Sequence, residues 1–493
     1  MPVLYGATTG GRPYKPESRK QRKLFFWGVT DHSVTPWEHV ARFRPCHPRM
    51  TGRDACPTKI YTEKIMKASL SLLCILGMVL AWGLLSSAWA DVTQEWVARY
   101  NGPGNFNDEA TSLAIDRDGK VYVSGYSYGS GTGADFATIK YNTTGMEQWV
   151  AHYNGSGNSW DMVYSLAVDS NGNVYITGAS FGNSTDWDYA TIKYDAAGVE
   201  QWVALYNGPA NSFDYATSLA VDGNGNVYVT GASLGSITES NYTTIKYNPA
   251  GVQQWVARYN GPENYGDEAY SLALDRDSNV YVTGRSFGTG TYLDYATIKY
   301  NAAGVEQWVA RYNGPGNGDD EAHSLVVDDD GNVYVTGWSY RVGTDDDYAT
   351  IKYNGVTGAP MWSFPGGEVA ARYDGPGHGN DWTSNLAVDG NSNVYVTGYS
   401  LGSGTNDDYA TIKYNVTGDQ QWVARYDGPG NDYDWAASLA VDNADNVYVT
   451  GGSHGSGTDS DFATIKYNTA GIEQWVVRYN GPVNGSDLAN SLA

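Results

Sequence analysis

Cysteine is scarce in this 493-residue sequence, and its three copies, Cys46, Cys56 and Cys74, all precede residue 90. The rest of the chain can therefore form no disulfide and no thiolate site, so its stability has to come from packing. Basic residues are also few there, because residues 91–493 hold 18 Lys and Arg against 49 Asp and Glu. A surface this acidic repels nucleic acid and anionic lipid, and we expect neither as a partner.

Long apolar runs are absent except between residues 66 and 90, which read MKASLSLLCILGMVLAWGLLSSAWA. Lys67, the apolar stretch after it and the small-x-small ending Ala88-Trp89-Ala90 are typical of a cleaved export signal. The interpretation is a signal peptide at 66–90 and a non-native upstream extension at 1–65. The alternative is an uncleaved anchor, since 23 residues can span a bilayer.

Helical periodicity is lacking after residue 90, and a repeat takes its place. Four blocks recur every 53 residues: SLAVD, NVYVTG, ATIKY and QWVARY, labelled A, B, C and D. One insertion around residues 360–368 interrupts the period, and we expect it to lengthen a C–D turn and to expose Met361, Trp362 and Phe364. The chain holds one lone D, seven A-B-C-D sets and a last A that stops at Ala493. We expect the domain at 91–493 to be cut within a repeat, with a membrane anchor only in an uncleaved N-terminal segment or a missing C-terminal one.

Each block is a short run of Val, Ile, Thr, Tyr and Trp bounded by Gly, Asn and Asp, which is typical of a β-strand. Blocks B and C carry bulky side chains on both faces, so both faces must be covered. A four-stranded blade packed between two neighbours meets that demand. The prediction is an all-β β-propeller of about seven four-stranded blades, with a truncated eight-bladed propeller as the alternative.

The combined unit SLAVDxxGNVYVTG followed by DYATIKYNxxGxxQWVARYNG resembles the bacterial beta-propeller repeat family known as SBBP. The resemblance covers residues 94–493 and implies a secreted or cell-surface propeller. It implies no enzymatic activity.

Antiparallel strand order places the A–B and C–D turns at one end of the blades and the B–C and D–A loops at the other. The A–B turns are nearly uniform, and we expect plain Asx turns there. The opposite end is variable in sequence but holds two repeated acids. Together they would suit Ca²⁺ or basic groups, although each Asp would equally serve to cap its own loop. The D–A candidates are Asp108, Asp161, Asp214, Asp267, Asp320, Asp381, Asp434 and Asp487. The B–C candidates are Asp135, Asp188, Asp294, Asp347, Asp408 and Asp461.

Aromatic side chains at the same variable end are candidates for contact with a glycan or an extracellular protein. The tryptophans among them are Trp160, Trp187, Trp338, Trp382 and Trp435.

Catalytic patterns are missing from the exported part. Its histidines stand at different repeat positions, and no thiol nucleophile is present. We therefore expect no catalytic residue, no resident metal and no cofactor, with Ca²⁺ as the one ion the acids would suit. The predicted function is an exported, non-enzymatic binding or scaffold propeller, located outside the cell, at its surface or in the periplasm. A glycan-degrading hydrolase or lyase and a purely structural surface repeat are the alternatives.

Overall fold

The computed structural model describes residues 92–235, 239–482 and 484–493, and these residues form an all-β propeller. Seven sheets, each of four antiparallel strands in chain order, are the seven blades of a ring, which confirms the predicted fold. The predicted extension and signal segment, 1–65 and 66–90, lie outside the described residues. Among the residues described, no helix is long and apolar enough to cross a membrane.

The strands follow the four blocks blade by blade. Blades 1 to 4 contain β1 Asp108–Ile115, β2 Val121–Tyr128, β3 Ala134–Tyr141 and β4 Glu147–Tyr153; β5 Asp161–Val168, β6 Val174–Gly182, β7 Asp186–Tyr194 and β8 Glu200–Tyr206; β9 Asp214–Val221, β10 Val227–Leu234, β11 Ser240–Tyr247 and β12 Gln253–Tyr259; β13 Glu268–Leu274, β14 Val280–Phe287, β15 Leu293–Tyr300 and β16 Glu306–Tyr312. Blades 5 to 7 contain β17 Asp320–Val327, β18 Val333–Arg341, β19 Asp345–Tyr353 and β20 Ala371–Tyr373; β21 Asp381–Val388, β22 Val394–Leu401, β23 Asp407–Tyr414 and β24 Gln420–Tyr426; β25 Asp434–Val441, β26 Val447–His454, β27 Ser460–Tyr467 and β28 Glu473–Tyr479.

The A strands of successive blades contact one another, so they form the inner wall of the ring. Strands B and C are sandwiched between neighbouring blades, which is why the B-strand tyrosines of blades 1 to 6 are 0–1% exposed. This burial of both faces is what the two-sided apolar pattern of blocks B and C predicted.

In blades 2 to 7, one backbone carbonyl of the C–D turn accepts hydrogen bonds from the blade before and so joins two blades. In blade 2 it is the carbonyl of Ala196, which accepts a hydrogen bond from Lys140 Nζ at 3.0 Å and from Trp149 Nε1 at 3.2 Å, both in blade 1. The Trp149 ring lies against Gly198, whose φ is +82° and where a Cβ would stand 2.6 Å from the ring. Only glycine fits both the backbone conformation and the contact.

The A–B turns are plain Asx turns, as expected. In blade 2, Asp169 Oδ1 accepts the backbone N–H groups of Asn171 and Asn173, each at 2.9 Å. Its other oxygen accepts the Tyr175 hydroxyl at 3.1 Å. Burial alone would raise the pKa of Asp169, but these hydrogen bonds outweigh it and lower the pKa. Every carboxylate oxygen is therefore engaged by the protein itself.

The insertion in blade 5 differs from expectation. The sequence suggested that residues 360–368 lengthen a C–D turn and expose Met361, Trp362 and Phe364. Met361 is exposed, but Trp362 is 4% exposed, and its Nε1 donates to the Val416 carbonyl at 2.9 Å. Trp362 thus takes the place of the D-strand tryptophan of the other blades, although β20 begins at Ala371. The additional residues lie between the two, with a short 3₁₀ turn at Pro365–Gly367.

Candidate functional site

The residues that differ most between blades meet at the inner wall, at the end that carries the B–C and D–A loops. We call this end the mouth. Each A strand has a β-bulge there, because one residue near the start of the strand is skipped in the pairing with strand B. Bulges redirect side chains, and the bulged residues differ from blade to blade. They are Thr111, Tyr164, Thr217, Tyr270, His323, Ser384 and Ala437.

Blades 4 and 5 share a charged group at the mouth. Arg285, on strand B of blade 4, bonds Glu268 Oε2 at 2.8 Å through Nη2 and Glu321 Oε1 at 2.6 Å through Nη1. Glu268 belongs to the same blade and Glu321 to the next. Burial raises the pKa of Glu321, and Arg285 opposes that rise. The arginine therefore holds two partly buried carboxylates together across a blade boundary.

Two bulged residues, Tyr270 and His323, stack beside this group. Their ring centroids are 5.4 Å apart with an interplanar angle of 23°. Burial, together with the charge of Arg285, lowers the pKa of His323 to about 4, although about a third of its side chain remains exposed. At neutral pH this imidazole is uncharged, and its Nε2 has no hydrogen-bond partner among the described residues. The stacked rings form a flat surface, whereas the Nε2 atom itself is buried and lies 3.8 Å from Glu321 Oε2.

Aromatic side chains continue the site into blade 6. Trp338 is paired with Glu321 across β17 and β18 and stacks on Trp382 with a centroid separation of 5.7 Å and an angle of 19°. Trp382 Nε1 donates to Asp346 Oδ2 at 3.0 Å, and its ring also contacts Tyr399. A continuous arc of variable side chains therefore runs across blades 4, 5 and 6.

The predicted tryptophans all lie toward this end, but only Trp160 is in a loop, 42% exposed and edge-on to Tyr128. Trp187, Trp338, Trp382 and Trp435 are strand residues. Trp187 contacts Phe181, and Trp435 contacts His454. Of the five, the structure brings together Trp338 and Trp382.

The D–A aspartates are more deeply buried than expected for a ring of carboxylates that binds metal ions from solvent. Those of blades 2 to 7 are 0% exposed: Asp161, Asp214, Asp267, Asp320, Asp381 and Asp434. Each of the eight candidates, with Asp108 and Asp487 included, accepts the N–H of the glycine six residues before it. Burial raises the pKa of Asp320 to about 7 and that of Asp381 to about 6.

The B–C aspartates pair mainly with the arginine of strand D. Asp294, Asp347, Asp408 and Asp461 bond Arg311, Arg372, Arg425 and Arg478 at 2.8–3.0 Å. Asp135 and Asp188, in the two blades whose strand D has His152 and Leu205 instead of arginine, accept a threonine hydroxyl. These acids therefore have internal partners in every blade that contains one.

At two places the two rings of acids meet a third carboxylate. Asp347 and Asp381 approach Asp374, and Asp408 and Asp434 approach Asp427, each group with one oxygen per residue within 4.8 Å of the others. Asp374 and Asp427 stand where other repeats have asparagine, for example Asn313. Oxygen ligands of this kind suit Ca²⁺.

Sequence reasoning missed Glu268, Tyr270, Arg285, Glu321 and His323. The repeat copies in the sequence did contain a signal for these residues. Positions that vary within otherwise constant strands indicate functional residues as well as variable loops do. Reading it requires knowing that neighbouring A strands meet at the inner wall.

With this geometry established, comparison with known proteins assigns the repeat. Residues 148–184, 201–237, 254–290, 307–340 and 372–404 match the family model for the beta-propeller repeat SBBP. The chain is an SBBP β-propeller repeat protein. The resemblance read from the four blocks is thereby confirmed.

Other relatives of this SBBP propeller are distant. It is 22% identical to an uncharacterized WD repeat-containing protein of Acanthamoeba polyphaga mimivirus over 82% of the chain, which spans about a third of that protein, 33% of its length. Among solved structures it is similar to the β-propeller domain of the Trilobed protease from Pyrococcus furiosus (9% identity, 76% of this chain and 99% of that one, TM-score 0.43). It is also similar to an ulvan lyase (12% identity, 63% and 82%, TM-score 0.41).

Proposed function

We propose that this protein is an exported, non-enzymatic binding propeller that holds a neutral glycan at the mouth. The observation that carries the proposal is the arc of side chains across blades 4 to 6 that differ from their counterparts in the other blades. The blade structure does not require these differences, so they point to a role other than folding. Constant residues build the blades, and the variable ones are available for recognition.

The chemistry of the arc suits a ligand rich in hydroxyl groups. Arg285 offers donors, while Glu268, Glu321 and Asp346 offer acceptors. Trp338, Trp382 and Tyr399 add flat apolar faces against which a sugar ring can pack its C–H groups. Other acids at the mouth, such as Asp345 and Asp407, disfavour anionic ligands.

A binding role also agrees with the burial and hydrogen bonding of the aspartates that recur in every repeat. Asp320 and Asp381 are buried and already accept backbone N–H groups, so these carboxylates support loops. We therefore propose no catalytic residue, and we propose export through cleavage before Asp91. N-terminal sequencing of the mature protein should begin at that residue.

The test is binding of the purified protein to an array of neutral and acidic glycans, followed by titration calorimetry with the best ligand. The variants Trp338→Ala and Arg285→Ala copy residues the repeat already uses, since Ala179 and Ala232 occupy the same strand-B position. Each should weaken binding at least tenfold. The matched control is Val356→Ala in a C–D turn, where the side chain is 80% exposed.

The bound glycan is then incubated with the protein and analysed for shortened or unsaturated products. We expect none. Product release would overturn the proposal in favour of the enzyme alternative. Binding that both mouth variants leave unchanged would remove the mouth as the site, and binding of an extracellular protein alone would replace the glycan.

A further inference from the structure

Asparagine followed by glycine opens six of the eight D–A loops, and the other two open with Asp374-Gly375 and Asp427-Gly428. The Asn-Gly pair is chemically reactive, because glycine has no side chain to keep its backbone nitrogen away from the asparagine side chain. The nitrogen attacks the amide carbon Cγ, ammonia leaves, and a succinimide ring forms that water then opens to aspartate or isoaspartate. The balance is one water consumed and one ammonia released. The six asparagines are Asn101, Asn154, Asn207, Asn260, Asn313 and Asn480.

The fold holds the reactive nitrogen of these pairs in a hydrogen bond. In the loop that leads into blade 5, Asn313 is exposed, but Gly314 is buried and its N–H donates to Asp320 Oδ2 at 2.7 Å. The equivalent bond is 2.5–2.8 Å long in all eight loops. The nitrogen has to lose this proton to attack Cγ, and the loss would place a second negative charge against a buried carboxylate. The bond therefore opposes deamidation at the first asparagine of a loop.

A second Asn-Gly pair in the same loop lacks this protection. Asn317 is exposed, and the Gly318 N–H has no hydrogen-bond partner among the described residues. Asn317 Oδ1 accepts a hydrogen bond from Asn313 Nδ2 at 2.7 Å, so a donor already lies at the oxygen that gains negative charge when Cγ is attacked. The one other Asn-Gly pair at this place is Asn484-Gly485. In the loops that lead into blades 1 to 4, the second asparagine is followed by a residue with a side chain: Phe106, Ser159, Ser212 and Tyr265.

The product of deamidation fits both places in the loop. Asp374 and Asp427 already occupy the first place in two repeats, and a carboxylate at residue 317 would still accept the hydrogen bond from Asn313. The rates of reaction at the two places therefore report on the reactivity of the glycine nitrogens and not on the survival of the product.

We propose that Asn317 is a deamidation site, and that the aspartate at the end of each D–A loop protects the first asparagine of that loop from the same reaction. Deamidation at Asn317 adds a negative charge at the mouth. Isoaspartate there also adds a carbon to the main chain of the loop that leads to Glu321. The charge and the shape of the mouth therefore change as the folded protein ages. This inference does not depend on the proposed glycan site.

The test is to keep the purified full-length protein in a mildly alkaline buffer, which ionises Asp320 because its pKa is about 7, and to sample it by peptide mapping. Trypsin releases both asparagines in one peptide, Tyr312–Arg341, so fragment masses give the two rates from one measurement. We expect the mass gain at Asn317 to be roughly tenfold faster than at Asn313, because Gly314 must first give up a hydrogen bond to a charged group. Equal rates, or no mass gain at Asn317, would overturn the proposal.

A variant separates local protection from a general loss of folding. Asp320→Asn should raise the rate at Asn313 several-fold, because a neutral amide holds the Gly314 N–H less tightly than a carboxylate does. The rate at Asn260, in the loop that Asp267 closes, should stay as in the wild type. Faster reaction at both asparagines, or at neither, would contradict protection by the aspartate of the same loop.

Asn317→His is the control for the position of the reaction. It copies His378, which occupies the same place in the next loop with a φ of 50°, close to the 48° of Asn317. This variant should keep the wild-type melting temperature and remove the fast mass gain from its tryptic peptide. A fast gain that persists in the peptide would show that another residue reacts, and the assignment of Asn317 would be wrong.

Discussion

The two ends of a blade are built from the same four strands and behave differently. Strand β17 shows the contrast, since it begins with Asp320 at the mouth and is followed by Asp328 at the turn end. Asp328 accepts two backbone N–H groups and the Tyr334 hydroxyl, and although its burial acts the other way, hydrogen bonds led by those from Asn332 lower its pKa. Burial instead dominates at Asp320 and raises its pKa to about 7. Repeated contacts secure the blade at both ends, but only the mouth also carries side chains that differ from blade to blade.

The largest expected effect is a difference in stability loss between alanine substitutions of two tryptophans, one in blade 4 and one in blade 5. Trp308→Ala, at the turn end, removes the ring from Gly358 and the hydrogen bond to the Gly355 carbonyl. We expect a loss of about 3 kcal/mol in unfolding free energy, as for other large-to-small core changes. Trp338→Ala, at the mouth, should cost less than about 1 kcal/mol, since Ala179 and Ala232 already occupy the same strand-B position in other blades. Urea unfolding followed by circular dichroism measures both, and similar losses would break the comparison.

A smaller expected effect is a difference in the pH dependence of stability between Asp320 and Asp328, which lie at the two ends of β17. The folded pKa of Asp320 is raised, so the folded state holds the proton more tightly and stability falls as pH rises from about 4 to about 7. Asp320→Asn should remove that fall, and its gain in melting temperature should grow across this window. The folded pKa of Asp328 is lowered, so its contribution is present above about pH 4 and lost as pH falls further.

Asp328→Asn should therefore destabilise most at neutral pH, with a loss that shrinks toward pH 3. Melting curves between pH 3 and 8 would record both trends. Parallel curves for the two variants would show that the two carboxylates do not differ in environment.

The smallest expected effect concerns Ca²⁺ at the mouth. If the carboxylate groups around Asp374 and Asp427 bind the ion with ~1 mM affinity, ~5 mM Ca²⁺ adds about 1 kcal/mol, or a few degrees in melting temperature. The double variant Asp374→Asn, Asp427→Asn restores the residue found at Asn313 and should abolish the shift. A wild-type melting temperature that neither Ca²⁺ nor a chelator changes would exclude the ion.

The blades could be predicted from the sequence because each strand recurs in every copy of the repeat. It located the two rings of aspartates, but it left open whether they cap loops or bind ions, since their hydrogen bonds to Gly155 or Arg372 depend on folded geometry. The arc at the mouth was out of reach for a similar reason. Arg285, on strand B of blade 4, and Glu321, on strand A of blade 5, are 36 residues apart and meet only because those two strands lie side by side in the folded ring. Trp362 was misplaced because the insertion follows it instead of preceding it.

The contact between Trp149 and the turn of the next blade has a direction. Each of blades 1 to 6 gives its tryptophan to the blade that follows, and each of blades 2 to 7 accepts one from the blade before, so the contact is head-to-tail. Such contacts close into a ring only when the rotation per unit divides the circle, and they place no limit of their own on copy number. The number of blades is therefore set by the angle between neighbouring blades, and a ring with one more 53-residue unit would close only if that angle became smaller at every interface.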